Sequence, residues 1–208
     1  LGRVPLQKKE RPDLKVAVMG CMVGPKTKDL ERRFPFVDAF ARPQEFEPII
    51  ELLEGKEKDL GGEFWPTTWS IPDGPTAYVP VVHGCDKFCT YCIVPYRRGR
   101  ERSRTVDEIV REVGWLTESG AREVTLLGQT VEAYGRDLKD PVGNSPDLGD
   151  LMEDLSALSD LKRIRFLTSY PKHMTKRILQ AVADLPKVME WFLGFLEKKP
   201  SKIVKIQI

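Results

Sequence analysis

Three of the chain's four cysteines fall within eight residues, Cys85-Asp86-Lys87-Phe88-Cys89-Thr90-Tyr91-Cys92, directly after Gly84 and a strand-like apolar run. This C-x3-C-x2-C spacing constrains the fold more than any other feature. The intervening peptides are short enough to curl back, so three thiolates on one loop can converge on a single inorganic centre. Soft sulfur ligands select iron–sulfur clusters or zinc. A structural zinc needs a fourth ligand, and His83 is the local candidate. It sits two residues before Cys85, closer than usual zinc spacings. A cluster held by three cysteines instead leaves one iron open, and open positions are where chemistry takes place. At this point a cluster, a zinc site and uncoordinated thiols all stand as readings. A disulfide scaffold does not, because four cysteines in 208 residues are too few.

The segments around the loop alternate between strand and helix signals. Ala77-Tyr78-Val79-Pro80-Val81-Val82 reads as a strand, with Pro80 arguing for a sheet edge or strand end. Thr105 as N-cap and Glu108 three residues on form a capping-box pattern. The helix that follows carries Val106, Ile109, Val110, Val113 and Leu116 at helical spacing and stops at Gly120. Trp115 and Leu116 fit its packed face. Residues 123–127 are the next strand, closing at Gly128. A helix over about 148–158, a strand over 163–167 and a helix over about 175–184 complete a βαβαβα order. That order predicts an α/β fold built as a partial (β/α) barrel or open parallel sheet. Residues 1–54 read as a small, incomplete α/β piece. It has strands over 14–19 and 36–40, a helix over 26–34, and a second helix opening at Arg42-Pro43-Gln44-Glu45 with Pro43 in its first turn. Residues 55–75, rich in Gly and Pro, read as a linker in which Phe64, Trp65 and Trp69 are docking anchors. The expected domains are therefore residues 1–54, a linker over 55–75 and a core over 76–208.

Charge totals are uninformative, with 33 basic against 31 acidic residues and a net charge of +2. This excludes an overall basic coat for nucleic acid. The distribution is less even. Arg97, Arg98, Arg100, Arg102 and Arg104 surround one acid, Glu101, giving a local charge of +4 just after the cysteines. Such a stretch binds phosphates or a carboxylate, or is a solvated loop. No apolar run approaches the roughly 18 residues that cross a bilayer, so a cytoplasmic protein without a membrane segment is expected, as a monomer. The first residue is Leu1 and no signal segment follows it, which predicts a piece of a longer protein.

Quoted as motifs, these residues resemble the radical-SAM superfamily and, within it, the methylthiotransferases. The resemblance is carried by Gly84 through Tyr96 (GCDKFCTYCIVPY), Arg98-Gly99, Ser103-Arg104, Leu127 through Gly135 (LGQTVEAYG) and Arg163 through Pro171 (RIRFLTSYP). Val94-Pro95-Tyr96 and Gly128-Gln129 are most similar to the tRNA-modifying branch that makes 2-methylthio-N6-isopentenyladenosine. The resemblance covers about residues 1–186. Beyond them the family would continue with further barrel strands and an RNA-binding β-domain, and residues 187–208 do not align.

The resemblance implies a 4Fe–4S cluster on Cys85, Cys89 and Cys92, with S-adenosylmethionine on the open iron. Its reductive cleavage would yield a 5′-deoxyadenosyl radical that abstracts hydrogen from adenine C2, where sulfur is inserted. A second S-adenosylmethionine would supply the methyl group. Tyr91 would lie against the cofactor's adenine, with core packing as its plainer reading. Gln129 and Tyr134 after the second barrel strand, and Ser169 after the third, would bind the cofactor, or simply cap helices. The five arginines would contact tRNA. Cys21, in Gly20-Cys21-Met22, resembles the last of three ligands of a second, sulfur-donating 4Fe–4S cluster whose other two ligands are not in this sequence; a buried packing thiol is its plainer reading. tRNA, an electron-donor protein and a sulfur source are the implied partners. Two rival readings are the family branch that methylthiolates an aspartate of a ribosomal protein, and a metal-stabilised nucleic-acid-binding module without catalysis. His173 reads as a surface residue.

Overall fold

The computed structural model describes residues 2–43, 45–55, 69, 72–139, 145–167 and 170–189. Ser169, Phe64, Trp65 and the strand-like end over 203–208 lie outside the described residues. The chain groups into two compact units, Leu1–Thr67 with Gly84–Arg100, and Thr68–His83 with Glu101–Ile208.

The first unit opens with α1 (Val4–Glu10), a helix the sequence pattern does not predict. Pro5 starts it where a missing N–H costs nothing. β1 (Ala17–Met19) and β2 (Ala39–Ala41) pair in parallel, Ala17 opposite Ala39 and Met19 opposite Ala41. α2 (Lys28–Arg33) lies between them in sequence and α3 (Glu47–Glu54) follows. Both strands are shorter than expected, and α3 starts later. Pro48, not Pro43, occupies its first turn, because Arg42 and Glu45 are tied to each other in the preceding turn. Gly55 ends α3 at φ 68°, the left-handed conformation that terminates helices without a Cβ penalty. Asp38 locks the start of this sheet. Its carboxylate accepts from Lys8 Nζ at 2.6 Å and from the Val16 N–H at 2.8 Å.

In the second unit β3 (Thr76–Pro80), β6 (Glu123–Leu127) and β7 (Arg163–Phe166) form a parallel sheet in that order. The register sets Tyr78 opposite Thr125 and Thr125 opposite Arg165. Pro80 sits at the end of an edge strand, where its missing N–H breaks no interior ladder. β6 is central and buries Val124, Thr125 and Leu126, so both its faces are covered, as a near-continuous apolar run requires. β3 alternates instead, with Ala77 and Val79 buried and Tyr78 67% exposed. A two-residue antiparallel pair, β4 (Val82–His83) with β5 (Arg102–Ser103), rises from the end of β3.

α5 (Val106–Glu118) is capped as its sequence predicts. Thr105 Oγ1 accepts from the Glu108 N–H, and the Glu108 carboxylate accepts from the Thr105 N–H at 2.9 Å. α6 (Leu148–Ser156) repeats the device with Asp147 and Asp150. α5 packs on β3 and α6, and α6 packs on β7 and α7 (Lys176–Asp184). Ile109, Val113, Leu151, Leu155, Ile164 and Ile178 share the resulting core. Trp69, from the Gly- and Pro-rich segment, sets its ring 5.7 Å from that of Trp115 on α5. After α7 the chain returns beside β7, where Val188 bridges Ile164 in parallel. The alternation is thus the predicted one, and the parallel strands form an open sheet; the described residues contain no closed barrel. No helix among them is long and apolar enough to cross a membrane.

Candidate metal centre

Parallel pairing puts the C-terminal ends of β3, β6 and β7 on one edge of the sheet. Chain segments leaving that edge carry the sequence motifs. The cysteine loop begins at Gly84, directly after β4. Gly84 has φ 78°, and a Cβ there would lie 2.1 Å from the Arg100 carbonyl oxygen, so only glycine lets the departing and returning strands of the loop touch. The Cys85 N–H donates to the Gly99 carbonyl at 3.1 Å and closes the loop at its base. At its far side the Cys92 N–H donates to the Cys89 carbonyl at 2.9 Å. Phe88, between the first two cysteines, has φ 47°, an outlier for a bulky residue and the kind of strain that collects at functional loops. Its ring packs edge-on against Tyr96 at 5.8 Å. α4 (Val94–Arg98), a short helix opened by Pro95, carries the chain back.

Cys85 is buried, and Cys89 and Cys92 are half-buried. Among the described residues no three His, Cys, Asp or Glu side chains gather tightly enough to hold one metal ion. His83 is 4% exposed within β4. The fit to a larger inorganic cluster rests on the donor set: three soft thiols on one loop with a pinned base, the ligand class that iron–sulfur clusters select. Tyr91 is 90% exposed, which removes its plainer reading as a core residue and leaves its ring open to a ligand. Cys21 is exposed and is no buried packing thiol either. Its turn lies beside α4: a Cβ on Gly24 would stand 1.8 Å from an Arg97 guanidinium nitrogen. The lone cysteine and the cysteine loop thus belong to one compact unit.

The arginines do not act as one patch. Arg104 is 3% exposed and forms a buried ion pair with Glu112 of α5, so its guanidinium faces the interior and is no phosphate contact. Arg97 is half-buried against Gly24, and Arg98 is half-buried. Arg100 and Arg102 are exposed, Arg100 holding Asp86 at 2.8 Å. Gln129 is half-buried just past β6. Gly128 before it is required by packing, since a Cβ would meet a Val82 methyl at 2.5 Å.

Tyr134 is 1% exposed, and its hydroxyl donates to the Arg104 carbonyl at 2.8 Å. Burial pushes its ionisation far above the usual tyrosine range, so the phenol stays protonated and keeps that bond. With Glu132, Arg136, Asp147 and His173 it lines a cleft of about 440 Å3. Two features are missed by sequence reasoning. Glu112 looks like one more polar residue of an amphipathic helix, although Arg104 directly precedes the N-cap of that helix and Glu112 stands two turns into it. Glu132 is 3% exposed and accepts from the Tyr170 N–H; an acid within Gln129 through Gly135 is its only signal. His173 is half-buried beside Arg136, at 2.6 Å, less exposed than expected.

The sequence profile of the radical SAM superfamily matches residues 79–195. The chain is 42% identical over 184 residues to the tRNA-2-methylthio-N(6)-dimethylallyladenosine synthase of Herpetosiphon aurantiacus, covering 88% of this chain and 41% of that protein. It is 41% identical over 191 residues to the enzyme of the same name from a Roseiflexus species, covering 91% and 39%. Against that of Dictyoglomus thermophilum it is 40% identical over 204 residues, covering 93% and 45%. The chain therefore spans about two fifths of the length of these curated relatives.

Proposed function

The chain belongs to the radical SAM superfamily, and on that premise we propose that it is the cluster-binding part of a cytoplasmic methylthiotransferase acting on N6-isopentenyladenosine in tRNA. The observation that carries the reading is the similarity to three synthases so named, at 40% to 42% identity over spans that take in the whole cysteine loop. In this reading Cys85, Cys89 and Cys92 hold a 4Fe–4S cluster through three thiolates. Bound there, the cluster and S-adenosylmethionine supply the one-electron cleavage chemistry of the superfamily, while the protein supplies orientation and a dry site. Tyr91 offers a ring face to the cofactor's adenine. Gln129 and Ser169, which follow β6 and β7 in the sequence, contact the cofactor. Arg100 and Arg102 offer guanidinium groups to tRNA phosphates. Cys21 is one ligand of a second, sulfur-donating cluster. An electron-donor protein and a source of sulfur complete the system.

The test is anaerobic reconstitution of the full-length protein with iron and sulfide, followed by reduction in the presence of S-adenosylmethionine and tRNA bearing N6-isopentenyladenosine. The expected result is a brown protein that forms 5′-deoxyadenosine and a 2-methylthio nucleoside detectable by mass spectrometry. Modification of a ribosomal-protein aspartate alone, in a parallel incubation, overturns the substrate; a colourless protein holding one zinc overturns the chemistry.

A further inference from the structure

The two arms from which the cysteine loop departs have little pairing of their own: β4 and β5 have two residues each, with Val82 opposite Ser103 and His83 opposite Arg102. A pair this short does not stay closed by itself in water. A buried polar network closes it. The Arg104 N–H donates to the Val81 carbonyl at 3.0 Å, and its guanidinium donates to the Pro80 carbonyl at 3.1 Å while paired with Glu112. Tyr134 Oη donates to the Arg104 carbonyl at 2.8 Å. The Gly135 N–H donates to Ser103 Oγ at 2.9 Å, and the Ser103 N–H donates to Asp137 Oδ2 at 2.8 Å. Three separate segments thus converge on residues 103 and 104: the end of β3, the first half of α5 and the turn after β6. Gly135 is part of the design, because a Cβ there would lie 1.8 Å from the Pro146 carbonyl oxygen. With Arg104 at 3% and Tyr134 at 1% exposure, water does not compete for the Arg104–Glu112 and Tyr134–Arg104 bonds, and the low local dielectric strengthens them.

We infer that Arg104, Glu112 and Tyr134 are positioning residues that fix the spacing and direction of the two chain ends between which the cysteine loop is strung. This replaces the phosphate-binding and cofactor-binding roles that the sequence suggests for Arg104 and Tyr134. The consequence for chemistry rests on the cluster reading of the loop: a fixed spacing of its two chain ends limits how far the loop can open around a cluster. The network uses a buried ion pair here, an arrangement that favours a defined geometry more than net stability.

Two readouts on the full-length protein test this. In cluster-free protein Cys85 is 7% exposed, so its alkylation by iodoacetamide, mapped by mass spectrometry, reports opening of the loop base. Tyr134→Phe removes one neutral hydrogen bond and should raise the Cys85 rate about fivefold; Glu112→Gln weakens a charged one and should raise it about fiftyfold. Thr117→Val, which deletes a buried hydroxyl bond to Gly114 within α5, tests for general loosening and should stay within about twofold of wild type. In reconstituted, reduced protein Tyr134→Phe should give an electron paramagnetic resonance spectrum of the cluster that differs from wild type, while Thr117→Val gives the wild-type spectrum. Wild-type alkylation rates in both Tyr134→Phe and Glu112→Gln, or equal acceleration in Thr117→Val, overturn the inference. If the wild-type protein takes up no iron, the cluster reading fails, and the alkylation rates still decide whether the network holds the loop.

Discussion

Replacing Gly84 with alanine strikes the loop base at its tightest point. The residue sits at φ 78°, where an L side chain costs about 1–2 kcal/mol. The added Cβ would stand 2.1 Å from the Arg100 carbonyl oxygen and 2.7 Å from that of Gly99. Both obstacles are backbone, so the strands of the loop must part by about 1 Å to restore ordinary contact. That movement stretches the 3.1 Å bond from the Cys85 N–H to Gly99, a further loss of about 1 kcal/mol. Together the terms reach about 3 kcal/mol, roughly a hundredfold in the local opening equilibrium. Hydrogen exchange at the Cys85 amide reads that equilibrium directly. The iron content after reconstitution should fall alongside it. An exchange rate within about threefold of wild type would show that the Gly84 contact does not close the loop base.

Cys89→Ala should lower the iron taken up on reconstitution and abolish reductive cleavage of S-adenosylmethionine rather than weaken it; near-normal 5′-deoxyadenosine from that variant refutes the ligand assignment. Arg104→Met leaves the Glu112 carboxylate buried without its cation and should cost about 3–5 kcal/mol in urea unfolding, while the double change Arg104→Met with Glu112→Leu recovers most of it. Arg100→Ala should weaken tRNA binding and lower its salt dependence, whereas an unchanged salt slope assigns Arg100 only to its contact with Asp86. The bond from Lys8, aided by the Val16 N–H, holds the Asp38 carboxyl below its ordinary value of 3.8. A depressed folded-state value means the stabilisation is complete above the ordinary value and is lost as pH falls through the lower one. Asp38→Asn should therefore lower the melting temperature at pH 7, with the difference shrinking as the pH drops below 3.8; a constant difference at all pH values contradicts the ion-pair account.

Much of this molecule is legible in its local chemistry. Thr105 and Glu108 announce the start of α5 because a capping box involves only residues three apart. β6 is readable because a central parallel strand must be apolar on both faces, and Pro80 can sit only where the ladder ends. The cysteine spacing marks the loop as a candidate for an iron–sulfur cluster or zinc because thiolate chemistry and loop length are properties of the sequence. Short elements are less visible: α1 and α4 offer only one or two turns each, too few for periodicity to stand out, and β5 is two residues long. Pro43 and Pro48 are equally good helix openers in sequence, and the Arg42–Glu45 turn chooses between them.

The roles of Arg104 and Tyr134 lie beyond local reading altogether. An arginine in a run of arginines reads as exposed, and a tyrosine in a polar loop reads as a ligand contact. Burial is decided by what other segments bring. Here Pro80, Glu112 and the backbone of residues 103 and 104 meet only after β3, α5 and the turn beyond β6 have packed. The sequence by itself determined which thiols share one loop and which strands form the sheet. The tertiary structure decided which charged and polar groups face water and which join in the buried network around Arg104, because desolvation and long-range hydrogen bonding exist only once distant segments share a core.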